Sequence, residues 1–160
     1  MKLKIQLQHP NAKVPTYATD GSGCFDLYAA TVDGAESIGT TVTPSEPVLC
    51  GTGLAVDIPQ SHVMLIFSRS GHGFNHGVRL SNCVGVIDSD YRGEVMVQLT
   101  QDDRMDDELY DLRSTFVQPG ERIAQAMVIP VPRVEFEVVE QLTLTERGSG
   151  GFGSTGGVSA

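Results

Sequence analysis

The chain contains no tryptophan, only three cysteines and only 11 lysines and arginines, against 20 aspartates and glutamates. Each scarcity excludes something. A formal charge of −9 rules out a protein that coats nucleic acid, because phosphate backbones demand clustered positive charge. Cys24, Cys50 and Cys83 are odd in number and lack any C-x-x-C spacing, so neither a disulfide framework nor a cysteine zinc site is expected. No apolar run approaches the ~18 residues of a membrane span. The first eight residues alternate instead of forming an apolar signal core, so no membrane partner and a reducing, cytoplasmic location are the expectations. Helix-period stripes of twelve or more residues are also missing. At 160 residues the chain has one domain's worth of sequence, enough to bury about two-thirds of its unfolded surface without covalent or metal staples.

What is present is period two. Lys4–Gln8, Leu54–Ile58, Val63–Phe67, Val84–Ile87, Val95–Leu99 and Val134–Val138 alternate or run apolar, with Gly, Pro, Asn and Asp between them, which predicts strands joined by tight turns. Ile123–Ile129 is ambiguous, but Pro130 and Pro132 favour an edge or core strand over a helix. Many short strands predict an all-β sandwich, jelly roll or barrel. Two segments depart from the pattern. Residues 101–111 hold six acids and no apolar repeat, as a solvated loop would. Residues 148–157 hold six of the 18 glycines and by composition read as a flexible tail.

Five segments have residue types suited to chemistry. In Gly21-Ser22-Gly23-Cys24-Phe25-Asp26-Leu27 a carboxylate follows a glycine turn inside an apolar strand start. It is either a turn residue or an acid held near a metal and its waters. Ser68-Arg69-Ser70-Gly71 ends a strand with a guanidinium fork, a hydroxyl and a close-approach N–H, an anion-binding corner. The nearby His72 and His76 have i, i+4 spacing, but Gly71, Gly73 and Gly77 argue for loop residues rather than helical metal ligands. Asn82 to Met96 reads as a β-hairpin tipped by Ser-Asp-Tyr-Arg-Gly. There Asp88, directly after Val86-Ile87, needs a partner at the rim of an apolar strand, and orienting a water for attack is one such use. Gln118-Pro119-Gly120-Glu121-Arg122-Ile123-Ala124-Gln125 is a Pro-Gly turn entering a strand. In Arg147 to Gly156 a phenylalanine stands among glycines beside Ser and Thr, suited to a flat ring and to phosphate oxygens.

In this order and spacing the five segments resemble the trimeric dUTP pyrophosphatase (dUTPase) family, from about Lys4 to Thr155. The resemblance implies a jelly-roll-like β-barrel or sandwich over residues 1–146 and a flexible Gly-rich arm, 147–160, closing over the active site. It also implies a homotrimer with active sites shared between neighbouring chains. The implied reaction is dUTP plus water to dUMP plus pyrophosphate, with Mg2+ on the triphosphate, keeping uracil out of DNA and supplying dUMP for thymidylate synthesis. On this mapping Asp88 deprotonates the attacking water, and Asp26 reaches the metal through water. Arg69, Ser70, Gly71 and Gln125 hold phosphate oxygens. Asn82 and the backbone around Val86, Ile87 and Met96 read uracil, and Tyr91 packs under the deoxyribose. Phe152 covers the base, with Arg147, Gly153, Ser154 and Thr155 around the terminal phosphates. A cytosine amino group at a strand edge built for a carbonyl costs ~1–3 kcal/mol per unsatisfied buried group.

The chain departs from the family pattern in three places. Ser68 stands where proline is usual, which predicts a looser turn. Gly23-Cys24 stands where Ala-Gly is usual, which puts the local backbone angle in question. The acidic loop 101–117 is long, either a passive insertion or a surface for a protein partner. Two competing readings are a nucleotide-sensing regulatory module that uses the same pocket and presents loop 101–117 to a protein partner, and a related deaminase of the same fold acting on dCTP.

Overall fold

A computed structural model describes residues 1–102 and 115–151. The acidic loop is therefore described only at its two ends, and Phe152, Gly153, Ser154 and Thr155 lie outside the described residues. The strands are β1 (Lys4–Leu7), β2 (Thr16–Tyr17), β3 (Phe25–Tyr28), β4 (Thr31–Val32), β5 (Thr40–Val42), β6 (Val48–Gly51) and β7 (Leu54–Asp57). They continue as β8 (His62–Phe67), β9 (Val78–Leu80), β10 (Val84–Ile87), β11 (Met96–Gln101), β12 (Thr115–Val117) and β13 (Arg122–Pro130), with one helix among the described residues, α1 (Ser70–His76).

Every ladder is antiparallel, in a five-stranded sheet β10-β8-β13-β3-β2, a four-stranded sheet β4-β6-β11-β9, and the pairs β1-β7 and β12-β5. Inward side chains of the sheets share one core. Phe25, Leu27, Met64, Ile66, Ile123 and Ala126 come from the larger sheet, and Val48, Cys50, Val78, Leu80, Val97 and Leu99 from the smaller. The alternation along β11, with Val97 and Leu99 buried and Met96 and Gln98 exposed, is the period-two signal expressed as burial. The fold is the expected all-β, jelly-roll-like architecture. Ile123–Ile129 lies in β13, the middle strand of the larger sheet, and Pro130 is its last residue, where a missing N–H costs least.

Three expectations differ from what is observed. The predicted hairpin is not a ladder: β10 pairs with β8 in one sheet, while β11 pairs with β6 and β9 in the other. The connection 88–95 crosses between sheets because each strand's inward residues serve a different wall of the core. The predicted strand at Val134–Val138 is absent. Every residue from 131 to 149 is exposed, Phe136 at 90% and Val138 at 99%, and no described strand pairs with the segment. Lastly, Ser70–His76 is helical despite Gly71 and Gly73. Gly77 ends it at φ 66, with its N–H on the carbonyls of Gly73 and His72. A glycine costs a helix interior only about 1 kcal/mol, and α1 buries no residue but is tied at its end by Gln101 Nε2 to the His76 carbonyl at 2.8 Å.

The entry to β11 hangs on Thr52, which is fully buried. Its Oγ1 donates to the Val95 carbonyl at 2.6 Å and accepts from the Leu54 N–H at 3.2 Å. Thr52→Val keeps the shape and strips both bonds, so urea unfolding should show a loss of about 1–3 kcal/mol, whereas Thr52→Ser should retain most of the stability.

Candidate active site

The sequence-predicted residues fall into three groups. The first gathers at one end of the larger sheet. Asp26 on β3 faces Gln125 on β13 across the ladder, and Gln125 faces Phe67 at the end of β8. Arg69, two residues beyond β8, thus arrives beside Asp26. Asp26 Oδ1 lies 3.7 Å from Arg69 Nε, and Oδ2 lies 3.2 Å from Arg122 Nη1. The carboxylate side chain is only 14% exposed. Arg69 Nη1 also donates to the Arg122 carbonyl at 3.1 Å and lies 3.4 Å from His72 Nε2. One carboxylate between two guanidinia leaves the corner net positive, and partial burial keeps water from screening it. Beside it, the N–H groups of Ser70 and Gly71 open α1 with no helical carbonyl to receive them.

Gln125 Nε2 donates to the Ser68 carbonyl at 2.9 Å, which uses one of its two amide hydrogens. Ser68 does not loosen the turn. Its hydroxyl accepts from the Leu80 N–H at 2.9 Å and ties β8 to β9. Gly23 and Cys24 have no positive φ, so the question at the first motif is answered by ordinary backbone. Arg122 is the residue that sequence reasoning missed. Counting by twos from Gln125 puts it on the opposite face, and only the register slip between Arg122 and Ala124 turns it toward Asp26.

The second group lines a cleft of about 280 Å³ between β10 and β11, formed by Asn82, Val86, Ile87 and Met96 with Ser81, Gln98 and others. β10 is the edge strand of its sheet, so one of its sides keeps unpaired N–H and C=O groups. Val86 and Met96 are exposed, at 60% and 48%, while Gly85 points inward where a Cβ would meet that of Ile66 at 3.1 Å. Two apolar walls with unpaired strand backbone between them suit a flat ring carrying a donor–acceptor edge.

The third group is the crossing loop. Asp88 is exposed and lines an open groove of about 870 Å³ with His62, Val63 and Phe136. Tyr91 donates its OH to the Glu94 carbonyl at 3.0 Å, and Arg92 braces the loop on Asp57 and on the carbonyls of Ser89 and Tyr91. Asp88 follows Ile87, which faces Met64, so it sits at the start of β8 while Arg69 sits past its end. Six residues at ~3.3 Å each separate them by about 20 Å. Arg147 is exposed in the arm, its Nε on the Gly150 carbonyl at 2.8 Å, and touches neither group.

Among the described residues no cluster of three or more His, Cys, Asp or Glu is placed to hold a metal ion, and no helix is long and apolar enough to cross a membrane. The three cysteines are free. Burial, followed by the charges of Asp33 and Glu121, pushes the Cys50 thiol up to about 12.

A base-sized cleft and an anion-binding corner on one antiparallel β scaffold define a nucleotide-binding protein. A family model described as dUTPase matches residues 10–156. The chain is 44% identical over 160 residues to the deoxyuridine 5'-triphosphate nucleotidohydrolase of Cronobacter sakazakii, and 43% identical to that of Escherichia coli, with 97% of each chain covered in both cases. The fold is similar to that of the Staphylococcus bacteriophage 80alpha dUTPase with dUPNHPP, at a TM-score of 0.81 and 27% identity over 97% of this chain and 98% of that one. The chain belongs to the dUTPase family.

Burial, and then the charges of Arg69 and His76, lowers the His72 pKa from its ordinary 6.5. The unfolded chain takes up this proton more readily, so stability is full above about 6.5 and falls as pH drops below it. In thermal melts across this range, His72→Gln should fall less steeply with decreasing pH than the parent.

Proposed function

We propose that the chain hydrolyses dUTP to dUMP and pyrophosphate, with the base in the β10–β11 cleft and the phosphates at the Asp26–Arg69–Arg122 corner. The observation that carries this reading is the cleft itself, where unpaired strand backbone faces a flat, mostly apolar slot. Uracil's pairing edge of two acceptors and one donor is matched by strand N–H and C=O groups with Asn82. Val86 and Met96 wall the slot at the base, and Tyr91 packs under the sugar.

Phosphoryl transfer needs positioning and charge neutralisation more than covalent chemistry. Arg69, with the N–H groups of Ser70 and Gly71, takes phosphate oxygens, and Gln125 adds its second amide hydrogen while steadying the turn beneath them. Asp88 accepts the proton of the attacking water. The carboxylate supply fits Mg2+ only in one way. Magnesium takes oxygen ligands and keeps waters, binding through one or two carboxylates plus substrate phosphates, and this corner offers Asp26 alone. Asp26 would hold such an ion through water beside the triphosphate. A bound magnesium ion would supply charge neutralisation to the phosphates. Arg147, Phe152, Gly153, Ser154 and Thr155 close over the nucleotide.

Asp88 and Arg69 lie about 20 Å apart along β8, too far to serve one phosphorus. A shared site between copies, in a homotrimer, reunites them. The exposed side chains of Val134, Phe136 and Val138 favour the same assembly. Free cysteines fit a cytoplasmic setting.

Pyrophosphate release with magnesium should be fast for dUTP and slow for dCTP, dTTP and UTP. Asp88→Asn should lower kcat by about 10²–10⁴ with little change in KM. Equal rates on all four nucleotides, or full activity in the variant, would refute the reading. A chain ending at Gly151 should keep three times its own monomer mass in light scattering yet lose most turnover. Undiminished turnover would remove the lid role of Phe152 and its neighbours.

A further inference from the structure

The turn Leu80–Cys83 carries Asn82 into the base cleft, and its geometry is unusual. Cys83 has φ 64, a left-handed conformation that strains a non-glycine residue and persists only where the surroundings impose it. Within the turn, the Cys83 N–H reaches the Leu80 carbonyl at 3.1 Å and the Val84 N–H reaches the Asn82 carbonyl at 2.7 Å. Arg79 supplies the outside constraint. Its Nη1 donates to the Leu80 carbonyl at 3.0 Å, reaches the Ser81 carbonyl at 3.5 Å and lies 4.0 Å from Cys83 Sγ. The same guanidinium is fixed from behind, Nε to Asp102 Oδ1 at 2.7 Å. Asp102 is itself pinned, its N–H on the Gly77 carbonyl at 2.9 Å. Leu80, Ser81 and Asn82 all line the cleft, whereas Arg79 and Asp102 do not.

We propose that Arg79 is a positioning residue for base recognition, a clamp that locks the Leu80–Cys83 turn so that Asn82 meets the base, with Asp102 fixing the plane of the clamp. The inference rests on the dUTP reading above. An arginine suits the task because one rigid fork serves a carboxylate on one side and two carbonyls on the other, a geometry that an ammonium cannot reproduce. The clamp acts before chemistry, on the position of the base. Its loss therefore weakens substrate binding and leaves the phosphate corner and Asp88 untouched.

Steady-state kinetics on the full chain with dUTP, dCTP and magnesium test this. Arg79→Met should raise KM for dUTP about five-fold, the worth of one lost hydrogen bond of ~1 kcal/mol, with kcat within about two-fold of the parent. The preference for dUTP over dCTP should narrow with it. Asp102→Asn should move KM the same way by less, and the double variant should be no worse than Arg79→Met alone, because the two act as one unit. Arg79→Lys, which keeps the charge but loses the fork, should remain impaired, and it carries the test if the methionine variant does not fold. An unchanged KM, full rescue by lysine, or kcat and thermal midpoint falling together would overturn the clamp while leaving the dUTP reading intact. A parent chain silent on dUTP would overturn both.

Discussion

A strand edge has a row of N–H and C=O groups that must find partners, and how β10 and β11 meet that constraint shapes the rest of the molecule. β10 spends one side on β8. β11 spends its sides on β6 and β9 rather than on β10, its neighbour in sequence. Because the two strands feed different sheets, a slot opens where a hairpin ladder would otherwise have closed. Backbone groups along that slot remain available to something flat and polar at its rim. Gly85 belongs to the same solution: its missing side chain lets β10 lie against Ile66, while Val86 on the alternate face becomes a wall of the slot.

Charge placement resolves the mismatch between an acidic protein and a polyanionic substrate. The formal charge is −9, yet the corner at Asp26 is net positive and the acids concentrate elsewhere, six of them in 101–111. Screening over about 8–10 Å makes the local arrangement count for more than the total. Asp26 does two things there. It pairs with both Arg69 and Arg122, and it keeps two like charges from splaying apart.

Much of this was legible in the sequence because strands write their burial in period two. Lys4, Leu54, Val63, Val84 and Val95 each begin within two residues of an observed strand. What stayed hidden has physical reasons. Arg122 reaches the site through a bulge, which resets alternation and leaves no mark in composition. The helix at Ser70–His76 runs against its glycines because ties at its end outweigh a propensity cost of about 1 kcal/mol each. The sheet exchange between β10 and β11 is a long-range choice that a local turn motif does not contain. The Ser68 hydroxyl replaces rigidity supplied by a proline ring with a bond to a strand twelve residues on, a substitution visible only once β9 is in place.

The segment Val134–Val138 makes the strongest link between pattern and assembly. Its alternation says that one face is meant to be buried, yet all its residues are exposed and no described strand pairs with it. A single chain makes these two facts inconsistent, since exposed Val134, Phe136 and Val138 would sit in water with nothing gained. They agree if the surface that buries the segment belongs to another copy. The same requirement comes independently from β8, whose length holds the proposed base at Asp88 away from the phosphate corner at Arg69. One segment without a described partner and one proposed site in two halves call for the same proposed arrangement, in which each chain would complete its neighbour.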